Sequence, residues 1–96
     1  MKIKISDSAY KDLESGQLFY KRQEEGLGIY FQDSLFSDID SLRLYAGIHP
    51  IQYGKHRLLS KKFPYAIYYQ TENDLIIVSA ILDCRRSPNW IKSKLK

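Results

Sequence analysis

Hydrophobic positions recur with two different periods along this chain, and the change of period near residue 50 separates predicted helices from predicted strands. The opening "MKIKIS" alternates polar and apolar residues, which predicts a short strand. Apolar residues then recur every three or four positions in two successive runs, the spacing of one helix face. The first run is Ala9, Leu13, Gly16 and Tyr20, and the second is Phe31, Leu35, Ile39, Leu42 and Ala46. The short connection between the runs predicts an antiparallel helical hairpin.

Capping residues predict where these helices begin and end. A serine or aspartate among residues 6 to 8 is expected to cap the first helix. Gly26 and Gly47 stand just beyond the two runs, where glycine commonly ends a helix. Gly16 lies inside the first helix, where glycine costs about 1 kcal/mol relative to alanine. Pro50 excludes a continued second helix.

The second half of the chain predicts three strands and a short terminal helix. The strands are "YGKHRLLS", "PYAIYYQ" and "DLIIVSAILD", with the turn "TEND" between the last two. Residues 75 to 82 are almost all apolar, which predicts a central strand buried on both faces. Ser87 is expected to cap a helix that starts at Pro88. Its residues Ile91 and Leu95 share a face, which we expect to pack on the sheet.

The order of elements, β-α-α-β-β-β-α, predicts an α+β fold with a helical hairpin packed on an antiparallel sheet. A length of 96 residues without a linker predicts a single domain over residues 1–96. No apolar stretch approaches the roughly 18 residues of a membrane span, and "MKIKISDS" lacks the apolar region of a secretory signal. Cys84 is the only cysteine, and nucleotide-binding and metalloprotease motifs are absent. We therefore expect a cytoplasmic protein with no membrane partner, no cofactor and no metal.

Charge is distributed unevenly between the two halves of the chain. Residues 1–48 carry six Lys/Arg against eight Asp/Glu, a net charge of −2, whereas residues 49–96 carry nine against three, a net charge of +6. A basic half favours an anionic partner, such as nucleic acid or an acidic protein segment. A general bias of surface charge is the alternative interpretation.

The candidate binding residues are basic side chains near the ends of predicted strands. Lys55 and Arg57 alternate on one face of the first sheet strand, and Arg85 and Arg86 follow the last one. Guanidinium groups suit phosphate or carboxylate because each offers a planar fork of donors. Neighbouring strand residues point to opposite faces, so at most one arginine of the pair is expected to join Lys55 and Arg57. Trp90 adds a flat surface for a base or a protein side chain.

Three other residues have chemically reactive side chains. His49 precedes Pro50 and is interpreted as shaping that connection. The alternative is a general base, which would have to lie within hydrogen-bond reach of the proton that it removes. His56 lies in the basic strand "KHR", where it is either a solvated side chain or a general base. Cys84 is interpreted as a small packing residue, although the neighbouring Arg85 favours a thiolate.

The segments "FPYAIYY" and "ILDCRRSPNW", with the strand that begins at Arg57, resemble the small toxins of the RelE/ParE superfamily. The order of elements agrees with that fold along nearly the whole chain. The resemblance implies the growth-arresting toxin of a bacterial type II toxin–antitoxin pair, which a cognate antitoxin wraps and neutralises. ParE-like members act on DNA gyrase, whereas RelE-like members cut mRNA on the ribosome without a metal.

The resemblance is closer to the ParE-like, plasmid-stabilisation branch. Tyr65 occupies the position where RelE-like nucleases carry an arginine, and no tyrosine follows Tyr69. A ParE-like interpretation implies target-binding roles for four residues, namely Arg57, Arg85, Arg86 and Trp90. A RelE-like interpretation would make four basic residues catalytic, namely Lys55, Arg57, Arg85 and Arg86. A non-toxic nucleic-acid or protein-binding module is the remaining alternative.

Overall fold

The computed structural model describes residues 1–96, and a β-hairpin formed by the two longest strands lies at the centre of its sheet. The elements are β1 (Lys2–Ile5), α1 (Asp7–Gln23), α2 (Leu27–Asp40), α3 (Leu42–Tyr45), β2 (Ile51–Gln52), β3 (Lys55–Leu59), β4 (Tyr65–Glu72), β5 (Leu75–Asp83) and α4 (Pro88–Lys94). The strand order in the sheet is β1-β5-β4-β3-β2. The predicted α+β architecture, with a helical hairpin on a sheet and a terminal helix, is confirmed.

The sheet is mixed, whereas the sequence predicted an antiparallel one. Strands β2 to β5 form an antiparallel meander, but β1 runs parallel to β5. The helical hairpin carries the chain from β1 to the far edge of the sheet, and the meander then returns β5 to the side of β1. Parallel strands require such a long connection, which local periodicity does not reveal.

The second predicted helix is divided into α2 and α3 at Ser41. The Ser41 hydroxyl donates a hydrogen bond of 2.6 Å to the carbonyl oxygen of Asp38, a local bond that competes with the regular helix. Leu42 nevertheless remains on the predicted apolar face, where it is fully buried. The short strand β2 was not predicted, since Pro50 and the loop residues beside it conceal its pairing with β3.

Two hydrophobic cores lie on opposite faces of the sheet. The larger core fills the space between the helical hairpin and the sheet, and the predicted apolar faces of both helical runs contribute to it. The smaller core lies beneath α4, where Ile91 and Leu95 contact β4 and β5 as predicted. Ser6 and Ser87 cap α1 and α4, also as predicted, by accepting hydrogen bonds from Ala9 and Trp90 backbone amides.

The predicted central strand has two neighbouring strands along only part of its length. A register shift opposite Tyr68 and Tyr69 makes Ser79 an extra residue in β5. On the other side, β1 pairs only with residues 75 to 78, after which the chain turns into α1. The last residues of β5 are therefore an open edge between α1 and α4. None of the helices combines the length and the apolar character of a transmembrane segment.

Candidate functional site

Arg85 and Asp83 form an ion pair at the end of β5. The Arg85 Nε and Nη2 atoms lie 2.9 and 2.8 Å from the two Asp83 carboxylate oxygens, and the Arg85 backbone N–H also donates to Oδ1. Burial opposes ionisation of the Asp83 carboxyl, but the hydrogen bonds and charge of Arg85 outweigh it and lower the pKa. The guanidinium lies 5.9 Å from the ring centroid of Phe19 on α1. Arg85 is thus held toward the helical hairpin.

Arg86 points away from the helical hairpin, toward α4 on the other side of the β5 end. Its guanidinium carbon lies 4.0 Å from the centroid of the Trp90 ring, and the Nζ atom of Lys94 lies 5.5 Å from the same centroid. Both distances are within the range of cation–π contacts. The two ion pairs of the chain are Arg43–Asp40 and Arg85–Asp83, so Arg86 and Lys94 have no carboxylate partner. Arg86 is exposed and keeps its donors available for an anion.

Lys55 and Arg57 point to the same face of β3, as predicted, and each is held by a neighbour on β4. Lys55 Nζ donates to Gln70 at 2.8 Å, and Arg57 Nε donates to the Tyr68 hydroxyl at 3.2 Å. Arg57 Nη2 also approaches the Cys84 sulfur at 3.4 Å. Burial works against the charge of Arg57, but the interactions with Tyr68 and Cys84 outweigh it and raise the pKa.

These contacts place the four predicted basic residues in different surroundings. Arg57 reaches the exit of β5 at Cys84, Arg86 lies over Trp90, and Lys55 lies two residues before Arg57 in β3, bonded to Gln70. Arg85 turns to the opposite wall and is neutralised by Asp83. The thiol of Cys84 is half-buried against a guanidinium, which agrees with the packing role predicted for it.

The sequence did not indicate the wall that α1 contributes to this site. Asp12, Ser15 and Phe19 line a groove of about 470 Å³ with the end of β5 and with Trp90 and Lys94 of α4. Phe19 is 45% exposed although it is a large aromatic residue. The sequence offered one indication of this wall, since Phe19 directly precedes the buried face residue Tyr20 and so places a large aromatic side chain on the exposed side of the helix.

The two histidines lie on the helical-hairpin face of the sheet, away from Arg57. His49 Nδ1 is hydrogen-bonded to the buried Tyr69 hydroxyl, which also accepts from the Gly47 backbone N–H at 2.9 Å. His49 thus shapes its loop as expected. His56 was interpreted from the sequence as either a solvated side chain or a general base, and the structure does not place it in solvent. It stacks on the Tyr69 ring at 5.0 Å and donates through Nδ1 to the His49 carbonyl oxygen.

The chain is an α+β domain in which a helical hairpin and a terminal helix cover opposite faces of a mixed sheet, with basic side chains at the exit of β5. No family model matches the sequence, and no curated protein does so. The fold is similar to that of a chain in the chromosomal ParDE toxin–antitoxin system from P. aeruginosa. The TM-score is 0.73, with 17% sequence identity over 84% of this chain and 92% of that chain.

Proposed function

We propose that this chain is a ParE-like toxin of a bacterial type II toxin–antitoxin pair, which acts on DNA gyrase in the cytoplasm and arrests growth. The observation that carries the proposal is the fold shared with a chain of a ParDE system, which extends over 92% of that chain. A cognate antitoxin would neutralise the protein. The acidic segment expected of such a partner suits the net charge of +6 on residues 49–96.

The proposed action is binding rather than bond cleavage. Arg86 and Trp90 stand at the end of the central strand, which is a rigid platform in a domain of this size. The free guanidinium of Arg86 would contact an anionic surface of gyrase or of the DNA that gyrase holds. Arg57 would extend the same basic surface across β3, since its contact with Cys84 brings it to the β5 exit.

A RelE-like mRNA interferase is the second candidate, because Lys55 and Arg57 share a face that is suited to a phosphate. Attack by a ribose 2′-hydroxyl also needs a group that removes its proton. His56 lies on the opposite face of β3, stacked on Tyr69. Tyr65, at the position of the family's arginine, is buried, and its burial together with the charge of Asp83 raises its pKa to about 12. These observations favour the gyrase-directed activity.

Controlled expression in a bacterial host tests the proposal and separates it from the alternatives. Induction should stop growth and activate a DNA-damage reporter before protein synthesis falls, and the purified chain should inhibit supercoiling by gyrase. An early loss of translation with cleaved mRNA would instead support the ribonuclease. Normal growth with abundant soluble, folded protein would contradict a toxin and favour the non-toxic binding module.

A further inference from the structure

The sheet ends in two outer strands, β1 and β2, and only one of these edges carries charge. Strand β1 includes Lys2 and Lys4, and the Arg43 guanidinium donates from α3 to the Met1 carbonyl oxygen at 3.3 Å. Charged side chains on an edge strand discourage pairing with another chain. At the other edge, the stretch that leads into and out of β2, residues 44–54, contains no Asp, Glu, Lys or Arg. The β2 edge therefore lacks this protection.

Five large apolar side chains of this stretch are exposed, and they are called the β2 edge face: Leu44, Tyr45, Ile48, Ile51 and Tyr53. Ile51 lies opposite His56, and paired residues of antiparallel strands point to the same face of a sheet. His56 stacks on Tyr69, whose hydroxyl accepts from the Gly47 N–H in the loop before β2. Ile51 thus points to the side of the sheet on which this loop lies. Exposed apolar surface without charge is typical of an interaction site.

The backbone of Ile51 offers a donor and an acceptor at the same edge. The Arg57 N–H donates to the Pro50 carbonyl oxygen at 2.8 Å, so the backbone of Pro50 faces β3. Backbone groups alternate in direction along a strand, and the N–H and C=O of Ile51 therefore point away from β3. No other hydrogen bond of the chain uses either group. A residue that presents both groups outward can pair with the same residue of a second, antiparallel strand.

We infer that the β2 edge face binds a second copy of this chain, with β2 of one copy antiparallel to β2 of the other. A two-fold axis would pass beside Ile51, whose N–H and C=O would bond the C=O and N–H of Ile51 in the other copy. The same patch then serves both copies, so the assembly closes as a dimer. Leu44 and Ile48 would lose contact with water on both sides of the axis. Dimerisation of this kind does not depend on toxicity.

The distribution of charge favours a second copy as the occupant of this face. Each copy has a formal net charge of +4, so two copies repel each other over much of their surface. At the β2 edge face they can meet without placing lysines or arginines opposite each other. Lys55, the next charged residue along the chain, points to the other face of β3 and is bonded to Gln70. The core of a homodimer interface is likewise apolar and depleted of charge.

The proposed dimer leaves the exit of β5 accessible in both copies. Strands β3 and β4 separate β2 from β5 in the sheet. Arg86 lies over Trp90 of α4, on the opposite side of the sheet from the helical hairpin. Each dimer would therefore present two separate basic exits to a target.

Sedimentation velocity of the full chain over a series of concentrations tests for the dimer. Five side chains from each copy make a small interface, so we expect reversible association with a Kd in the micromolar range. Ile51→Lys should raise the Kd about tenfold or more, because two ammonium groups would meet at the axis. Ile29→Lys is the matched control and should leave the Kd unchanged, since Ile29 on α2 is 65% exposed and Ile51 is 66% exposed. Equal melting temperatures would show that both variants are folded.

Hydrogen exchange separates strand pairing from loose apolar contact. The Ile51 amide should exchange slowly where the dimer dominates and rapidly where the chain is monomeric. Leu44→Lys, a change outside β2, should also weaken the dimer. The inference is overturned if the chain is monomeric at every concentration, if Ile51→Lys dimerises as the unchanged chain does, or if the dimer leaves the Ile51 amide unprotected. A monomeric chain that binds phosphatidylcholine vesicles, and loses this binding in Ile51→Lys, would overturn it in favour of a lipid surface.

Discussion

Asp83 and Arg85 hold each other in a two-pronged ion pair at the end of β5, with N–O distances of 2.9 and 2.8 Å. This pair divides two adjacent arginines into different roles. Arg85 is paired with Asp83 and turned toward α1, whereas Arg86 lies over Trp90 and forms no ion pair. Two residues that look equivalent in the sequence are therefore expected to differ in their effect on a target.

Substitution of Arg86→Ala should strongly reduce growth arrest, and Arg85→Ala should have little effect on it. A charge-assisted contact with a target is worth roughly 1.5–3 kcal/mol, whereas an exposed ion pair contributes under about 1 kcal/mol. Colony counts at equal expression and inhibition of purified gyrase measure the difference. Unchanged melting temperatures of both variants would show that neither effect is due to unfolding. An equal loss of activity in Arg85→Ala would contradict the division of roles.

Gly16 is predicted to tolerate no side chain, although alanine is the better helix former by about 1 kcal/mol. A Cβ atom at this position would lie 2.5 Å from Cζ of Phe31. The Phe31 ring cannot easily yield, since it is fully buried and packs against Tyr20, Phe63 and Tyr65. Gly16→Ala should therefore lower the free energy of unfolding by about 1–3 kcal/mol in urea denaturation.

Glu14→Ala is the matched control for that substitution, because Glu14 is an exposed position of the same helix. It should leave the free energy of unfolding within about 0.5 kcal/mol of the unchanged protein. A Gly16→Ala variant as stable as this control would show that the hairpin can open enough to admit a methyl group.

The sequence was sufficient to predict the helical hairpin and most of the sheet, because each apolar position on the predicted faces contacts the same core. Gly16 illustrates what local propensity omits. It weakens α1 as an isolated helix, but its missing side chain makes room for Phe31 and brings the two helices together. The parallel pairing of β1 with β5 was not predictable in the same way, since it joins residues about 73 positions apart, such as Lys2 and Leu75.

The candidate site could be predicted only where the residues that meet in space are also close together in the sequence. Arg86 and Trp90 lie four residues apart, so a helix start between them was enough to indicate their proximity. The contact between Asp12 and Ile81 joins residues 69 positions apart and depends on where α1 crosses the open edge. The different orientations of Arg85 and Arg86 depend on the side-chain geometry of Asp83, which no sequence pattern specifies.

Asp12 offers a test of the open edge that does not depend on function. Burial raises the pKa of its carboxyl, although the Ile81 N–H and the charge of Lys94 oppose this change. The folded state then binds more protons than the unfolded state just above the ordinary pKa of 3.8, so ionisation of Asp12 lowers stability as pH rises through that range. Asp12→Asn keeps an acceptor for Ile81 without the charge.

The Asp12→Asn variant should therefore be at least as stable as the unchanged protein at pH 7, and its stability should fall less between pH 4 and 6. Asp12→Ala removes the acceptor from the Ile81 N–H and should lower the free energy of unfolding by about 1–3 kcal/mol throughout this pH range. Urea denaturation across this pH range measures both effects. If Asp12→Ala proves as stable as Asp12→Asn, a water molecule accepts the hydrogen bond from the Ile81 N–H in place of the carboxylate, and solvent reaches this edge of β5.

The final prediction concerns the stability of the loop that joins α3 to β2. Burial lowers the pKa of His49, and the charge of His56 lowers it further. Neutral His49 can accept a hydrogen bond from the Tyr69 hydroxyl, whose oxygen accepts from the Gly47 N–H. Protonation at Nδ1 would remove that acceptor and place a positive charge beside His56.

The sign of the pH dependence follows from this lowered pKa. Below the ordinary value of 6.5 the unfolded chain takes up a proton at His49 before the folded chain does, so stability is lost as pH falls. His49→Asn places a neutral acceptor near the position of Nδ1 and should flatten the decrease in unfolding free energy between pH 7 and 5.5. Tyr69→Phe should cost about 1–3 kcal/mol, since the Gly47 N–H loses its partner. Thermal unfolding over that pH range checks both variants, and an unchanged pH dependence in His49→Asn would assign the titration to another group.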